Sequence, residues 1–175
     1  MPLAPAAPAD HPEIAALVND AYRATGPARG WTTEADYIDG ERTDAATLAR
    51  DLAAQPAARL LVWRDEPQGP ILGCVWLEPA GGGAWYLGML TVRPDLQDRR
   101  LGRTLLEAAE QAAAGEGARI IRMTVVNVRD TLIGWYERRG YALTGETRPF
   151  PYDGEFGAPR RPDLAFVVLE KALAG

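Results

Sequence analysis

The chain has 175 residues, a formal net charge of -5 and an apolar fraction of 47%. That length fits a single domain, 1–175, with a real core, and the acidity argues against nucleic acid and for a neutral or cationic small partner. One cysteine, Cys74, excludes an internal disulfide, and one histidine, His11, excludes a His/Cys metal cluster, so no metal is expected.

The start "MPLAPAAPAD" has neither a basic region nor an apolar one, and no stretch is long enough to span a membrane, so the cytoplasm is the expected compartment. The Pro-rich start makes a poor strand. "DHPEIAALVNDAYRA" predicts a first helix, with Asp10 and Glu13 spaced as a capping box and Ile14, Leu17, Val18, Ala21 and Tyr22 on one face. A polar, turn-rich stretch leads to a second helix over about 44 to 54. "RLLVWRDEPQGPILGCVWLEP" reads as a hairpin, with Cys74 a small buried side chain in its second strand.

After "AGGG", the run "AWYLGMLTV" has the continuous apolarity of a central buried strand. A helix with Leu101, Leu105, Ala108, Ala109 and Ala112 on one face follows and ends at "GEG". "ARIIRMTVV" is a strand, "RDTLIGWYERRG" a short helix stopped by Gly140, and "LAFVVLEK" a last strand. Strands and helices alternate with hairpins among them, which predicts a mixed α/β fold and not a doubly wound parallel one.

The handover from strand to helix in "TVRPDLQDRRLGRTLLEAA" carries the chemistry. The first amides of a helix lack intrahelical partners and sit at the positive end of its dipole. Arg99, Arg100 and Arg103 add charge there, and Gly102 lets a ligand approach the backbone, which points to a phosphate or pyrophosphate. A basic, solvated helix start is the alternative. Neither G-x-x-x-x-G-K-[ST] nor G-x-G-x-x-G is present, so P-loop and Rossmann sites are unsupported.

This stretch resembles the acetyl-CoA signature of the GNAT superfamily of N-acetyltransferases, strand, Q/R-x-x-G-x-G/A, helix, through Gln97 and Gly102. "VVNVRDTLIGWYERRGYALTGE" resembles the second motif of that family through Tyr136, Glu137, Gly140 and Tyr141. The resemblance implies a central, mostly antiparallel mixed sheet with two splayed central strands, flanked by helices. It implies acetyl-CoA as cosubstrate, the backbone of Leu90, Thr91 and Val92 pairing with the pantetheine arm, and the amides of Asp98, Arg99, Arg100, Leu101, Gly102 and Arg103 on the pyrophosphate. Tyr136 would be the general acid for the leaving thiolate. Two positions depart from the family pattern: Arg100 stands where the first glycine is usual, and Arg129 where Asn is frequent, with Asn127 nearby as a substitute contact to the cofactor.

Attack on the thioester needs a neutral nitrogen, and an alkylammonium titrates at about 10. Strand amides near Leu90 can serve the oxyanion. The position where some relatives carry a basic Glu is Thr124 here, leaving Glu78, Glu34 or a water chain as candidates for the base. Acceptor contacts are expected from Trp31, Glu34 and Tyr86. The segment 30–44 holds five acids around Arg42, and 147–163 is dense in Pro, Gly and aromatics; together they lean toward a cationic amine, while Arg42 and Arg148 suit an acceptor carboxylate equally well.

The reading is direct acetyl transfer in a ternary complex to a small-molecule amine. A peptide or protein amine and a non-catalytic acyl-CoA-binding module are the alternatives. Nucleic acid and membranes are not expected partners, and a homodimer is expected only from the habits of the family.

Overall fold

The computed structural model describes residues 3–23, 33–35, 38–152 and 157–174. In chain order they form β1 (Leu3–Pro5), α1 (His11–Arg23), β2 (Ile38–Asp39), α2 (Ala45–Ala54), β3 (Arg59–Trp63), β4 (Gly73–Gly81) and β5 (Ala84–Val92). Then come α3 (Leu101–Gly115), β6 (Ile120–Val126), α4 (Asp130–Glu137), β7 (Ala142–Pro149), β8 (Ala158–Pro159) and β9 (Ala165–Ala172). Seven strands make one sheet in the order β1-β3-β4-β5-β6-β9-β7, and β2 pairs with β8 separately. Only β5 and β6 run parallel, because α3 carries the chain back across the sheet between them.

The near-continuous apolar runs of β3 and β4 follow from burial on both faces. Leu60, Val62, Cys74 and Trp76 pack toward Ile14, Leu17 and Val18 of α1 and Leu48 of α2. The alternating residues Leu61, Val75 and Leu77 pack toward Leu106, Ala109 and Ala113 of α3 and Ile133 of α4. The expected hairpin of β3 and β4 forms, and the turn from β4 to β5 places Gly81, Gly82 and Gly83 all at positive φ, which that glycine run supplies.

Two features open the centre of the sheet. β5 and β6 pair only at Ala84↔Ile120, Trp85↔Ile121 and Tyr86↔Arg122, then run on to Val92 and Val126 without further partners among the described residues. On the other side of β5 the register shifts between Cys74↔Thr91 and Trp76↔Gly88, so Met89 and Leu90 together face Val75. Met89, at φ 51, is the left-handed residue of this bulge.

Three local expectations are corrected. Asp10 and Glu13 form no capping box: Asp10 accepts from Ala7 N (2.8 Å) and Arg64 (2.7 Å), and Glu13 accepts from Ile71 N (2.9 Å), tying α1 to the sheet. The start of the chain does form a strand, three residues long, on the edge at β3. β7 overlaps the segment expected to be a loop; all eight of its residues are exposed, so no apolar alternation announces it.

Candidate active site

Where β5 and β6 part, two cavities meet. The larger, about 610 Å³, lies between the end of β5, the start of α3 and the outer side of α4. Its walls include Val92, Gln97, Arg100, Gly102, Arg103, Trp135, Arg138 and Arg139. The Gln97 side chain donates to Val92 O (3.3 Å) and closes the turn. α3 starts after Arg100 with no side-chain cap, so its first-turn residues Gly102 and Arg103 bring the positive end of the helix to the cavity wall. A Cβ added at Gly102 would meet only Trp135 and Val92, at 3.7 and 3.8 Å, so the protein tolerates a methyl group there and the space it would fill belongs to the cavity.

Arg100 keeps the backbone that glycine would favour: φ 58 and ψ 14, with its side chain exposed. The departure from the family pattern therefore leaves the turn intact, at a strain of about 1 kcal/mol. Arg139 lies over the Trp135 ring, 4.1 Å from its centroid, and its Nε is buried with no hydrogen-bond partner among the described residues. Burial, then Arg103 and Arg138, hold its guanidinium below the ordinary arginine value. Crowded positive charge and an orphaned donor are what a phosphorylated cofactor would satisfy, so these residues fit one.

The second cavity, about 290 Å³, lies inside the splay. Tyr22, Leu90, Leu132 and Tyr136 line both cavities and form the passage between them. Tyr136 sits on α4, held edge-on against Trp135 (5.1 Å between centroids) and Tyr141 (5.7 Å). Tyr141 is fixed in turn by donating to the buried Glu110 (2.7 Å), which also receives Lys171 (2.9 Å). Burial pushes the Tyr136 phenol well above the usual tyrosine range; Tyr22 adds to the shift and Arg129 opposes it. The Tyr22 hydroxyl donates to Leu90 O (2.7 Å), and burial pushes that phenol up to about 12.

Part of the inner cavity wall is ionic. Glu34 is buried between Arg23 (2.8 Å) and Arg129 (3.3 Å), and Arg129 lies 5.9 Å above the Tyr22 ring. Tyr86 spans the waist, its hydroxyl 3.3 Å from Thr124 Oγ1. Gly88 makes room for it: a Cβ there would come within 2.8 Å of the Tyr86 ring. Beyond the waist an outer cavity of about 450 Å³ shares Arg42, Tyr86, Gly88 and Met89 with the inner one and adds Asp51, Glu78 and Pro151.

The residues expected at the site fall into three groups. Leu90, Val92, Gln97, Arg100, Gly102, Arg103 and Tyr136 line the larger cavity, and Tyr86 and Glu34 the inner one. Leu101 is half-buried at the start of α3, and the Thr91 side chain turns away to donate to Met89 O (2.9 Å). Trp31 and the side chains of Asp98 and Arg99 lie outside the described residues. Asn127 does not face the cofactor: its amide donates to Asp163 O (3.0 Å) and accepts from Ala165 N (3.1 Å), fastening the start of β9. Arg129 also points elsewhere, into the inner cavity. Glu34 is a poor base, since both of its oxygens hold guanidinium groups. Arg148 is bound to its neighbour Glu146 on β7.

Sequence reasoning missed Tyr22, Leu132, Arg138, Arg139 and Gly88 as site residues. Tyr22 falls on the apolar face of α1, and nothing local announces its bond to Leu90 O, 68 residues away.

A sheet opened by a bulge and a splay, with a phosphate-ready helix start on one side and a buried tyrosine between two cavities, defines an acyltransferase architecture. Residues 15–141 match the model of the acetyltransferase (GNAT) family, and the chain belongs to that family. It is an acyltransferase that uses acetyl-CoA. The fold is similar to ribosomal-protein-alanine N-acetyltransferase from Brucella melitensis at 19% identity and a TM-score of 0.69, covering 98% of this chain and 99% of that one. A GNAT acetyltransferase from Elizabethkingia anophelis with acetyl-CoA bound is similar at 16% identity and a TM-score of 0.60, with 72% and 82% covered. Nourseothricin acetyltransferase is similar at 23% identity and a TM-score of 0.56, with 68% and 67% covered.

Proposed function

We propose that the chain transfers the acetyl group of acetyl-CoA to the primary amine of a small molecule, directly, in a ternary complex. The observation that carries this reading is the meeting of two cavities at Tyr136, one fitted to a phosphorylated cofactor and the other a space of about 290 Å³. Acetyl-CoA supplies an activated acyl group and a thiolate leaving group. The first turn of α3, with Arg100 and Arg103, holds its phosphates, and the end of β5 takes the pantetheine arm alongside Leu90 and Val92.

Tyr136, at the passage between the cavities, protonates the departing thiolate: burial keeps the phenol protonated and lowers its acidity, so the donation rests on its position. The Leu90 amide, displaced from the regular ladder by the bulge, is the donor for the developing oxyanion. The N–C bond forms as the C–S bond breaks. One proton from the nitrogen accounts for that on the thiol; an acceptor that arrives as an ammonium releases a second one to solvent. Glu78, in the outer cavity, receives that proton through solvent rather than by direct contact. A covalent acyl-enzyme is disfavoured, because the one thiol, Cys74, is buried and pushed up to about 12.

The modest volume of the inner cavity, about 290 Å³, favours a small molecule over a peptide chain. The test is thiol release from acetyl-CoA with a panel of small amines and a panel of short peptides with free N-termini. Turnover confined to small amines is expected; turnover confined to peptides would reverse the assignment.

A further inference from the structure

The cofactor cavity adjoins another besides the inner one. A polar cavity of about 480 Å³ meets it at Arg103, Arg138 and Arg139, and shares no lining residue with the inner cavity. Its other walls include Leu106, Glu107 and Glu110, which stand with Arg103 along one face of α3, and Lys171 of β9. From Arg103 to Glu110 that face runs about 10 Å. Inner, cofactor and polar cavities are therefore joined in series, with Tyr136 at one junction and three guanidinium groups at the other.

The side chains at this second junction are set by the protein. Arg139 donates from Nη1 to Trp135 O (2.9 Å) and lies over the Trp135 ring, which fixes the plane of its guanidinium. Arg138, exposed, lies back over α4, with Nη1 3.5 Å from where a Cβ on Gly134 would stand. Arg103 pairs with Glu107 (3.2 Å), and Glu110 receives Tyr141 (2.7 Å) and Lys171 (2.9 Å). The charge of Arg103 and Arg138 is felt at Arg139, whose guanidinium both push down, with Glu107 opposing them. Like charges held this close favour an anion between them.

Acetyl-CoA carries a diphosphate in the middle of its length and a phosphomonoester on the ribose beyond it. With the thioester at Tyr136 and the diphosphate at the first turn of α3, the ribose end remains to be placed, and the arginine junction lies where the polar cavity begins. A phosphomonoester presents terminal oxygens and close to two negative charges, which suits paired guanidinium groups. We infer that Arg138 and Arg139, with Arg103 beside them, hold the ribose 3′-phosphate of acetyl-CoA and make the protein selective for it over the dephospho form. This rests on the placement of acetyl-CoA above. Arg100, which lines the cofactor cavity and not the polar one, takes no part in that selection.

The probes are acetyl-CoA and acetyl-dephospho-CoA, identical but for that phosphate, titrated calorimetrically into the full chain. The native protein should bind acetyl-CoA about tenfold more tightly or better. The gap should narrow as salt is raised. Arg138→Gln and, separately, Arg139→Gln should bring the ratio of the two affinities toward one by weakening acetyl-CoA, while Arg100→Gly leaves the ratio as it was. Each ratio is taken within a single protein, so partial unfolding of a variant does not change it.

Equal binding of the two probes by the native chain overturns the inference and leaves acetyl-CoA in its cavity. So does a preference that survives both substitutions, or one that Arg100→Gly alone removes. Binding of neither probe overturns the proposed cofactor site itself, and the inference with it.

Discussion

The two sides of Tyr136 are built by different means. The larger cavity is lined by two short stretches of chain, 90–103 at the end of β5 and start of α3 and 131–139 on and just after α4, with Tyr22 of α1 added. The inner cavity, the proposed acceptor side, is assembled from α1, the segment around Glu34 and Arg42, β5, β6, the start of α4 and Phe166 of β9. A site that uses local backbone leaves a motif in the chain; a site built from long-range ion pairs does not. The first suits a ligand shared by a whole family, and the second is free to differ from one member to the next.

Substitutions on each side should therefore fail in different ways. The largest effect is expected at the boundary. Tyr136→Phe should lower kcat by about 100-fold or more, the range for loss of a general acid, while acetyl-CoA affinity stays within a few-fold. An unchanged kcat removes the assigned role.

Next comes the ionic wall. Glu34→Gln leaves Arg23 and Arg129 buried without their shared carboxylate and should cost about 3 kcal/mol of stability, measured as a lower denaturation midpoint. An unaltered midpoint would mean that the triad does not hold the acceptor wall together.

A third effect spans both sides and depends on pH. Buried Tyr22 has its pKa raised from 10.0 to about 12 and Cys74 from 9.0 to about 12; Tyr136 is raised as well. A raised pKa means that the folded state keeps its proton longer than the unfolded chain does. The stability these groups contribute is complete below their ordinary values and is lost as pH rises from about 9 toward about 12. The melting temperature should fall over that window, and Tyr22→Phe should make the fall shallower. A melting temperature that stays flat throughout contradicts the burial of these groups.

The smallest effect belongs to the turn. Arg100→Gly relieves a left-handed side-chain conformation and removes one cation from the cavity rim. Stability should move by no more than about 1 kcal/mol, and acetyl-CoA affinity should fall only a few-fold. A collapse of binding would mean that the arginine holds the cofactor by more than its place on the rim.

What could be read from the sequence follows the same division. The helices α1, α2, α3 and α4 are legible because each buries a periodic apolar face, and the strands β3 to β6 and β9 because each carries a run of apolar residues. β7 was not, since an exposed edge strand buries nothing. Gly102 and Tyr136 were legible because they stand in motifs. Glu34 stands out in the sequence as a candidate base and as an acceptor contact, and the fold places Arg23 and Arg129 on either side of it. Arg129 was assigned to the cofactor by its place beside the second motif, but the turn after β6 carries it inward. Residues such as Tyr22 and Gly88 take their meaning from a partner carbonyl across the fold and from an aromatic ring lying over the backbone.

The most direct measurement is a calorimetric titration with acetyl-CoA of the native chain beside Gly102→Ala. The added methyl group meets protein only at ordinary contact distance, and alanine is the better helix former, so the variant should melt no lower than the native chain. If the start of α3 is the cofactor cradle, the native chain binds in the micromolar range and the variant about tenfold more weakly. Equal binding by the two, or binding by neither, would contradict the placement of acetyl-CoA in this cavity.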